Sequence, residues 1–371
     1  MSETLALRGS LLHFLRDPGD EPAGGAAQYF DDGILLLRDG RVLEAGDARA
    51  LLPRLPADAA RRDHSGKLLL PGFVDTHIHY PQTDLIASHG TRLLDWLERY
   101  TFPVERRFGD PAHAREVADF FLEELLRNGT TTAMVVGTVH PQSVDAFFEA
   151  AQARGLRMIA GKVLMDRNCP EDLRDTAQSG EAQTRELIGR WHGRDRLLYA
   201  VTPRFAPACS AEQLRRAGRL LEEFPGLYLQ THLAENREEV AWVGDLFPSS
   251  RSYLDVYDGF GLVRPRSVFA HCVHLEDADR RRMAERGAAA AFCPTANLFL
   301  GSGLFDLAAA GACGMTVGLG TDVGGGTSFS MLRTLHEAYK VAQLRGQNLS
   351  PLRALYLATL GGAQALGLQD R

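Results

Sequence analysis

The chain has 371 residues, of which 45% are hydrophobic and 24% are charged, and its formal net charge at pH 7 is -6. This is an ordinary globular composition, and its charges form no long basic block, which disfavours nucleic acid as a partner. No apolar run approaches the roughly 20 residues of a membrane-spanning helix, and residues 1–17 make a poor secretory signal because charged residues surround a short apolar piece.

Residues 1–66 predict a small β-rich domain. The stretch DDGILLLRDGRVLEAGD alternates apolar and polar residues on either side of a DG turn, which is typical of an antiparallel hairpin. Residues 15–30 are rich in glycine and proline and predict an exposed loop.

Residues 67–371 alternate short apolar runs with longer amphipathic ones. The predicted strands cover residues 68–79, 130–138, 157–166, 197–205, 227–235, 267–274, 288–297 and 316–322. The predicted helices cover residues 114–129, 141–155, 181–193, 210–224, 276–287 and 328–346. This alternation predicts a parallel sheet closed into a (β/α)8 barrel, with a doubly wound open sheet as the alternative.

Several predicted strands end in metal-binding or acid–base side chains. These are His77 and His79 after the first strand, His232 and Glu235 after the fifth, His271 after the sixth and Asp322 after the eighth. Residues two apart in a strand point to the same face, so His77 and His79 can reach a common point. Because strands of a parallel barrel end at one face, we expect the whole set to converge there.

Four of these side chains offer the nitrogen and oxygen ligands that Zn²⁺ or Fe²⁺ accepts, namely His77, His79, His232 and Asp322. A bound divalent ion lowers the pKa of a coordinated water to about 7 and so supplies hydroxide at neutral pH. Glu235 follows His232 by three residues, and a carboxylate beside the metal can carry protons between water and substrate. His271 can polarise the group under attack or orient the water, and Asp322 can take the water's proton.

Each candidate also has a structural interpretation. His271 taken alone is equally well a buried core histidine, Asp322 can cap the following helix, and Glu235 can be a solvated residue at a helix start. Taken jointly, four strand ends that carry such residues in the same orientation favour a site.

Seven sequence blocks resemble the guanine deaminases of the amidohydrolase superfamily: DTHIHYPQ, LLDWLERYTFPVE, GTVHPQSVDA, VTPRFAP, QTHLAEN, CPTANLFLGSGLF and GTDVGGGTSFSML. They extend from about Pro71 to Gly362. The arrangement HIH, histidine, histidine and aspartate after the first, fifth, sixth and eighth strands is similar to the superfamily pattern. The HxxE spacing from His232 to Glu235 resembles the branch that deaminates nucleobases with one metal ion.

The resemblance implies a role for each candidate. The implied ligands of one Zn²⁺ per subunit are His77, His79, His232 and Asp322. It implies that Glu235 is the proton shuttle and that His271 lies near the metal-bound water. It also implies three substrate contacts, in which Gln82 hydrogen-bonds the purine, Arg204 binds the ring carbonyl and Phe205 is the pocket aromatic. The implied reaction is deamination of guanine to xanthine and ammonia in purine catabolism or salvage, by a cytoplasmic homodimer.

The substrate-contact residue types suit a flat ring rich in donors and acceptors. An amide such as that of Gln82 both donates and accepts hydrogen bonds, and the guanidinium of Arg204 supplies only donors, which suits a carbonyl oxygen. The face of Phe205 can stack on the ring.

Other substrates and sites stay open at this point. A related ring, such as 8-oxoguanine, a pterin, cytosine or a triazine, needs the same metal set. A two-metal hydrolase needs a modified lysine, for which Lys162 is the candidate. The base deaminases that act on nucleic acid use HxE with PCxxC, whereas FCPTAN carries the lone Cys293. A non-catalytic metal-binding protein is disfavoured because Glu235 and all four ligands are present.

The cysteines and the C-terminus give two further expectations. The five cysteines are odd in number and form no CxxC pair, which is typical of reduced, mostly buried thiols in a cytosolic protein. The resemblance implies a C-terminal β-rich segment that returns to the small domain, and the sequence lacks it. We therefore expect an incomplete small domain with exposed strand edges.

Overall fold

The computed structural model describes residues 4–19, 24–90 and 92–370. Its internal contacts divide the chain into two units, Met1–Gly72 and Phe73–Arg371. Within the described ranges, no helix combines the length and the apolar character that crossing a bilayer requires.

The first unit is a four-stranded sheet with the strand order β3-β2-β1-β4. Its elements are β1 (Thr4–Phe14), β2 (Ala27–Arg38), β3 (Arg41–Asp47), α1 (Ala48–Leu51) and β4 (Ala60–Leu69). The predicted hairpin is confirmed, because β2 and β3 pair antiparallel. Asp39 and Gly40 turn the chain between them with φ angles of 50° and 75°, as a type I′ turn requires.

The small sheet has a modest apolar core and exposed edges. Ala6, Ile34 and Leu51 belong to the buried cluster of this unit, whereas the residues of the edge strands β3 and β4 are mostly exposed. The predicted loop 15–30 is shorter than expected because β2 already begins at Ala27. Residues 20–23 of that loop lie outside the described residues.

The second unit is a closed parallel barrel, which confirms the predicted fold class. Its strands are β5 (Phe73–His79), β6 (Thr130–Val136), β7 (Arg157–Gly161), β8 (Val163–Leu164), β9 (Leu198–Pro203), β10 (Tyr228–Leu233), β11 (Ser267–His271), β12 (Ala289–Phe292) and β13 (Thr316–Leu319). Neighbouring strands follow chain order from β5 to β13, with β8 beside β9. The ring closes where Asp322 N donates to His77 O (2.9 Å) and His79 N donates to Val323 O (3.1 Å). All strand carboxyl ends therefore meet at one face.

Helices connect the barrel strands. They are α2 (Leu93–Trp96), α3 (Phe102–Glu105), α4 (Pro111–Arg127), α5 (Pro141–Ala153), α6 (Ala177–Trp191), α7 (Ala211–Glu223), α8 (Arg237–Leu246), α9 (Tyr253–Gly259), α10 (Asp277–Arg286), α11 (Pro294–Phe299), α12 (Leu307–Ala312), α13 (Met331–Leu344), α14 (Pro351–Leu357) and α15 (Leu360–Ala365). The six predicted helices are confirmed as α4, α5, α6, α7, α10 and α13. One wide helical turn, Leu97–Thr101, joins α2 to α3.

The predicted strand over residues 157–166 is interrupted at Lys162, which separates β7 from β8. Lys162 N donates to the hydroxyl of Tyr199 at 3.1 Å, and β8 then pairs with β9. The residue before the break must be glycine, because a Cβ on Gly161 would lie 1.8 Å from Ala200 O.

Several predicted strand boundaries were wrong. Residues 68–69 belong to β4 in the first unit, so the first barrel strand begins only at Phe73. The predicted strand 288–297 ends at Phe292 because Pro294 begins α11, and proline is favoured at the first helical position.

Lys162 and Asp175 form a buried ion pair that supports the barrel. The side chain of Lys162 is fully buried and its Nζ lies 2.5 Å from Asp175. Burial lowers the pKa of Lys162 and raises the pKa of Asp175, so each charge depends on the other. We expect Asp175→Asn to lower the free energy of unfolding by about 3–5 kcal/mol, measured by denaturant titration.

The matched control is Asp172→Asn, which removes one charge from a half-exposed ion pair with Arg106. We expect that variant to lose at most about 1 kcal/mol. Equal losses in the two variants would contradict a special role for the buried pair.

Candidate active site

Five side chains from four strand ends meet in one cluster. They are His77 and His79 from β5, His232 from β10, His271 from β11 and Asp322 after β13. Nε2 of His79 lies 3.1 Å from Nε2 of His77 and 3.2 Å from Nε2 of His232. Oδ1 of Asp322 lies 3.3 Å from Nε2 of both His77 and His79. The structure thus brings together the four predicted ligands and His271, the fourth histidine that the sequence singled out.

The tautomers in the cluster suit a metal ion. Nδ1 of His232 donates to Arg204 O at 2.7 Å, and Nδ1 of His271 donates to Oδ1 of Asn297 at 2.9 Å. Each of these imidazoles therefore directs an Nε2 lone pair into the cluster. These two lone pairs are available to a cation that lies in the cluster.

The protonation states fit the same interpretation. Burial lowers the pKa of His79 to about 4 and the pKa of His232 well below its ordinary value. Both imidazoles are therefore neutral at physiological pH, which is the form that binds a metal. These histidines and Asp322 can hold a divalent ion.

Three of the strand ends that form the cluster have a strained backbone. Ala234, His271 and Asp322 have φ angles of 49°, 71° and 51°, a region that non-glycine residues seldom adopt. Such conformations cost about 1–3 kcal/mol each and persist where the surrounding fold imposes them.

The interpretation of Asp322 as a helix cap is wrong, because α13 begins at Met331 with Ser330 as its cap.

Glu235 lies beside this cluster and is only 2% exposed. The hydroxyl of Ser302 donates to its Oε1 at 2.9 Å, and Nε2 of His271 lies 3.4 Å from its Oε2. Burial, together with the negative charge of Asp322, raises the pKa of Glu235 to about 8, so it holds a proton at neutral pH. Its interpretation as a solvated helix start is wrong, since α8 begins at Arg237.

A small cavity opens over the cluster. Gln82, Arg204 and Phe205 line it together with Glu235, and these three side chains are buried. The remaining wall is apolar and comes mainly from Leu93, Trp96, Leu97 and Leu300. The cavity therefore joins polar groups suited to a ring edge with apolar surfaces suited to a ring face.

Sequence reasoning assigned no role to several polar neighbours of the site. Glu105 accepts hydrogen bonds from Nη1 and Nη2 of Arg204 at 2.7 and 3.1 Å. Asp75 accepts from the backbone N–H groups of His77 and Thr321 at 3.2 and 3.1 Å. The only available signal for Glu105 was a carboxylate that follows an apolar stretch in TFPVE.

Two alternative ligands are engaged elsewhere. Nζ of Lys162 donates to Asp175 and to Val163 O, so this amine is already held within the fold. Cys293 is fully buried, and its thiol donates to Ala291 O at 3.4 Å. Neither a lysine-bridged metal pair nor a cysteine ligand is supported.

Comparisons with known proteins agree with this geometry. The model of the Amidohydrolase family matches residues 68–371. Guanine deaminase of Escherichia coli (strain K12) is 54% identical over 366 residues, which cover 98% of this chain and 83% of that protein.

Two solved structures also match this chain in fold. The structure of E. coli guanine deaminase matches with a TM-score of 0.96, covering 99% of this chain and 85% of that one. Guanine deaminase from C. acetobutylicum, solved with guanine bound in its active site, matches with a TM-score of 0.91 at 28% identity, covering 98% of this chain and 87% of that one.

Proposed function

The chain belongs to the amidohydrolase family, and within that family we propose that it is an enzyme that hydrolyses guanine to xanthine and ammonia. One observation carries the proposal: Gln82 and Arg204 line the same cavity as Glu235 and the cluster of metal-type ligands. The 54% identity to E. coli guanine deaminase over 98% of the chain supports it.

We propose that the metal is one Zn²⁺ per subunit, held by His77, His79, His232 and Asp322. Fe²⁺ suits the same ligands. A divalent ion bound there supplies a water whose pKa is about 7. Zinc rather than iron, a homodimer and a cytoplasmic location are proposals that rest on the family resemblance.

The cavity residues orient the ring. Free N–H groups of Arg204 donate to O6 of guanine, and the amide of Gln82 hydrogen-bonds the adjoining ring edge. Phe205 and the apolar wall cover the ring faces. This orientation directs C2 and its amino group towards the ligand cluster.

Proton transfer then falls to Glu235, His271 and Asp322. The lone pair on Nε2 of His271 accepts a hydrogen bond from the attacking water, and Asp322 takes a proton as the water oxygen adds to C2. Glu235 gives its proton to N3. The proton on Asp322 passes to the amino group, which leaves as ammonia, and the new hydroxyl returns a proton to Glu235 as the C2 carbonyl forms.

Guanine turnover by the purified chain with added Zn²⁺ tests the proposal directly. We expect xanthine and ammonia to appear in equal amounts, measured by chromatography and an ammonia assay. The comparison panel contains 8-oxoguanine, a pterin, cytosine and a triazine. Ammonia release from one of these rings but not from guanine would move the proposal to that ring, and no release from any ring would reject it.

A further inference from the structure

Glu105 is a buried carboxylate beside the cavity to which the proposed reaction assigns no proton transfer. It is the last residue of α3 and is 1% exposed. Its two oxygens accept from Nη1 and Nη2 of Arg204 at 2.7 and 3.1 Å, and Nε2 of Gln82 donates to Oε1 at 3.2 Å. One carboxylate thus contacts both polar residues that face the substrate edge.

The contact between Glu105 and Arg204 stabilises the charge of the guanidinium and fixes the orientation of its plane. A guanidinium that is only 3% exposed needs a partner charge, and a bidentate carboxylate sets the orientation of the planar fork. The ring of Phe102, also on α3, lies 5.3 Å from the guanidinium carbon of Arg204. Arg204 is therefore held by two α3 side chains, while its remaining N–H groups are left for a ligand.

The contact with Gln82 fixes the direction of an amide. Nε2 of Gln82 donates to Oε1 of Glu105 at 3.2 Å, and an amide oxygen in its place would face the negative carboxylate. With the amide nitrogen committed to this side, Oε1 is the atom that remains for a ligand. Gln82 therefore presents an acceptor next to the donors of Arg204.

We propose that Glu105 is a positioning residue that makes the cavity specific for a lactam edge, a carbonyl beside a ring N–H. Arg204 donates to the carbonyl and Gln82 accepts from the N–H, a pattern that O6 and N1–H of guanine match. A ring with an amino group beside an unprotonated nitrogen presents the opposite pattern and loses both hydrogen bonds. The inference deepens the proposed function and rests on it.

The test compares Glu105→Gln with the zinc-loaded wild type. The two probes are hypoxanthine, which has the lactam edge, and adenine, which has the reversed edge, and calorimetry measures the affinity of each. We expect Glu105→Gln to weaken hypoxanthine binding by about 10- to 100-fold and adenine binding far less. KM for guanine should rise by a similar factor with a much smaller fall in kcat, because ground state and transition state lose the same contact.

Two further variants sharpen the comparison. Glu98→Gln removes the same charge from an exposed position on the same helical segment, and we expect wild-type affinities. Glu105→Asp keeps the charge but shortens the reach, and we expect an intermediate preference for hypoxanthine over adenine. Metal content and the midpoint of unfolding are measured for every variant.

An unchanged ratio of hypoxanthine to adenine affinity in Glu105→Gln overturns the inference. Equal loss of both ligands together with the metal also overturns it, since that result assigns Glu105 only a structural role. A wild type that binds hypoxanthine in preference to adenine but leaves guanine unchanged rejects the proposed function instead, and the ratio in Glu105→Gln still decides the role of Glu105.

Discussion

Replacement of Glu235 with glutamine is expected to lower kcat for guanine by about 10²–10⁴-fold. The amide has nearly the same shape as the carboxyl group, and Ser302 can still donate to its oxygen, so the cavity keeps its form. What is lost is the proton that the buried carboxyl holds beside the cluster. Steady-state kinetics with guanine measure the loss.

The matched control is Glu238→Gln, three residues further along the chain. Glu238 is half exposed and pairs with Arg92, so we expect wild-type kcat. Metal content should be the same in both variants, because Glu235 is not among the four proposed ligands. A Glu235→Gln enzyme that retains full turnover would remove the proton-shuttle assignment.

The barrel could be predicted because its signal is local. Each strand is a short apolar run and each helix a longer amphipathic one, so the β/α alternation is visible without knowledge of any contact. The metal-type ligands were visible for the same reason, since His77 and His79 are two apart on a strand and His232 and Asp322 also follow apolar runs. Once the barrel is inferred, its common carboxyl face brings them together.

The parts that could not be predicted depend on contacts distant in sequence. Glu105 contacts Arg204 across 99 positions, and Asp75 contacts Thr321 across 246. No periodicity encodes such pairs. The predicted ends of the strands were wrong for a related reason. Cys272, for example, adopts a φ of 52°, and this conformation ends β11 under constraints from the surrounding fold.

Removal of the metal is expected to abolish guanine turnover, and added Zn²⁺ should restore it. The structural reason is that Nε2 atoms of three histidines and Oδ1 of Asp322 lie within one small cluster, an arrangement that a cation stabilises. Because a ligand that binds only the folded state stabilises it, the chelated protein should also unfold at a lower denaturant concentration. Atomic emission measures the metal retained, and denaturant titration measures the stability.

Asp322→Asn separates a metal effect from a general effect of the chelator. An amide is a weaker ligand than a carboxylate and cannot take a proton from water, so we expect kcat to fall by at least about 10²-fold. Zn²⁺ should raise the unfolding midpoint of this variant less than that of the wild type. Asp277→Asn, which changes an exposed aspartate paired with Arg280, should respond to Zn²⁺ as the wild type does. If zinc stabilised all three proteins equally, the ion would bind elsewhere, and Asp322 would have to act without it.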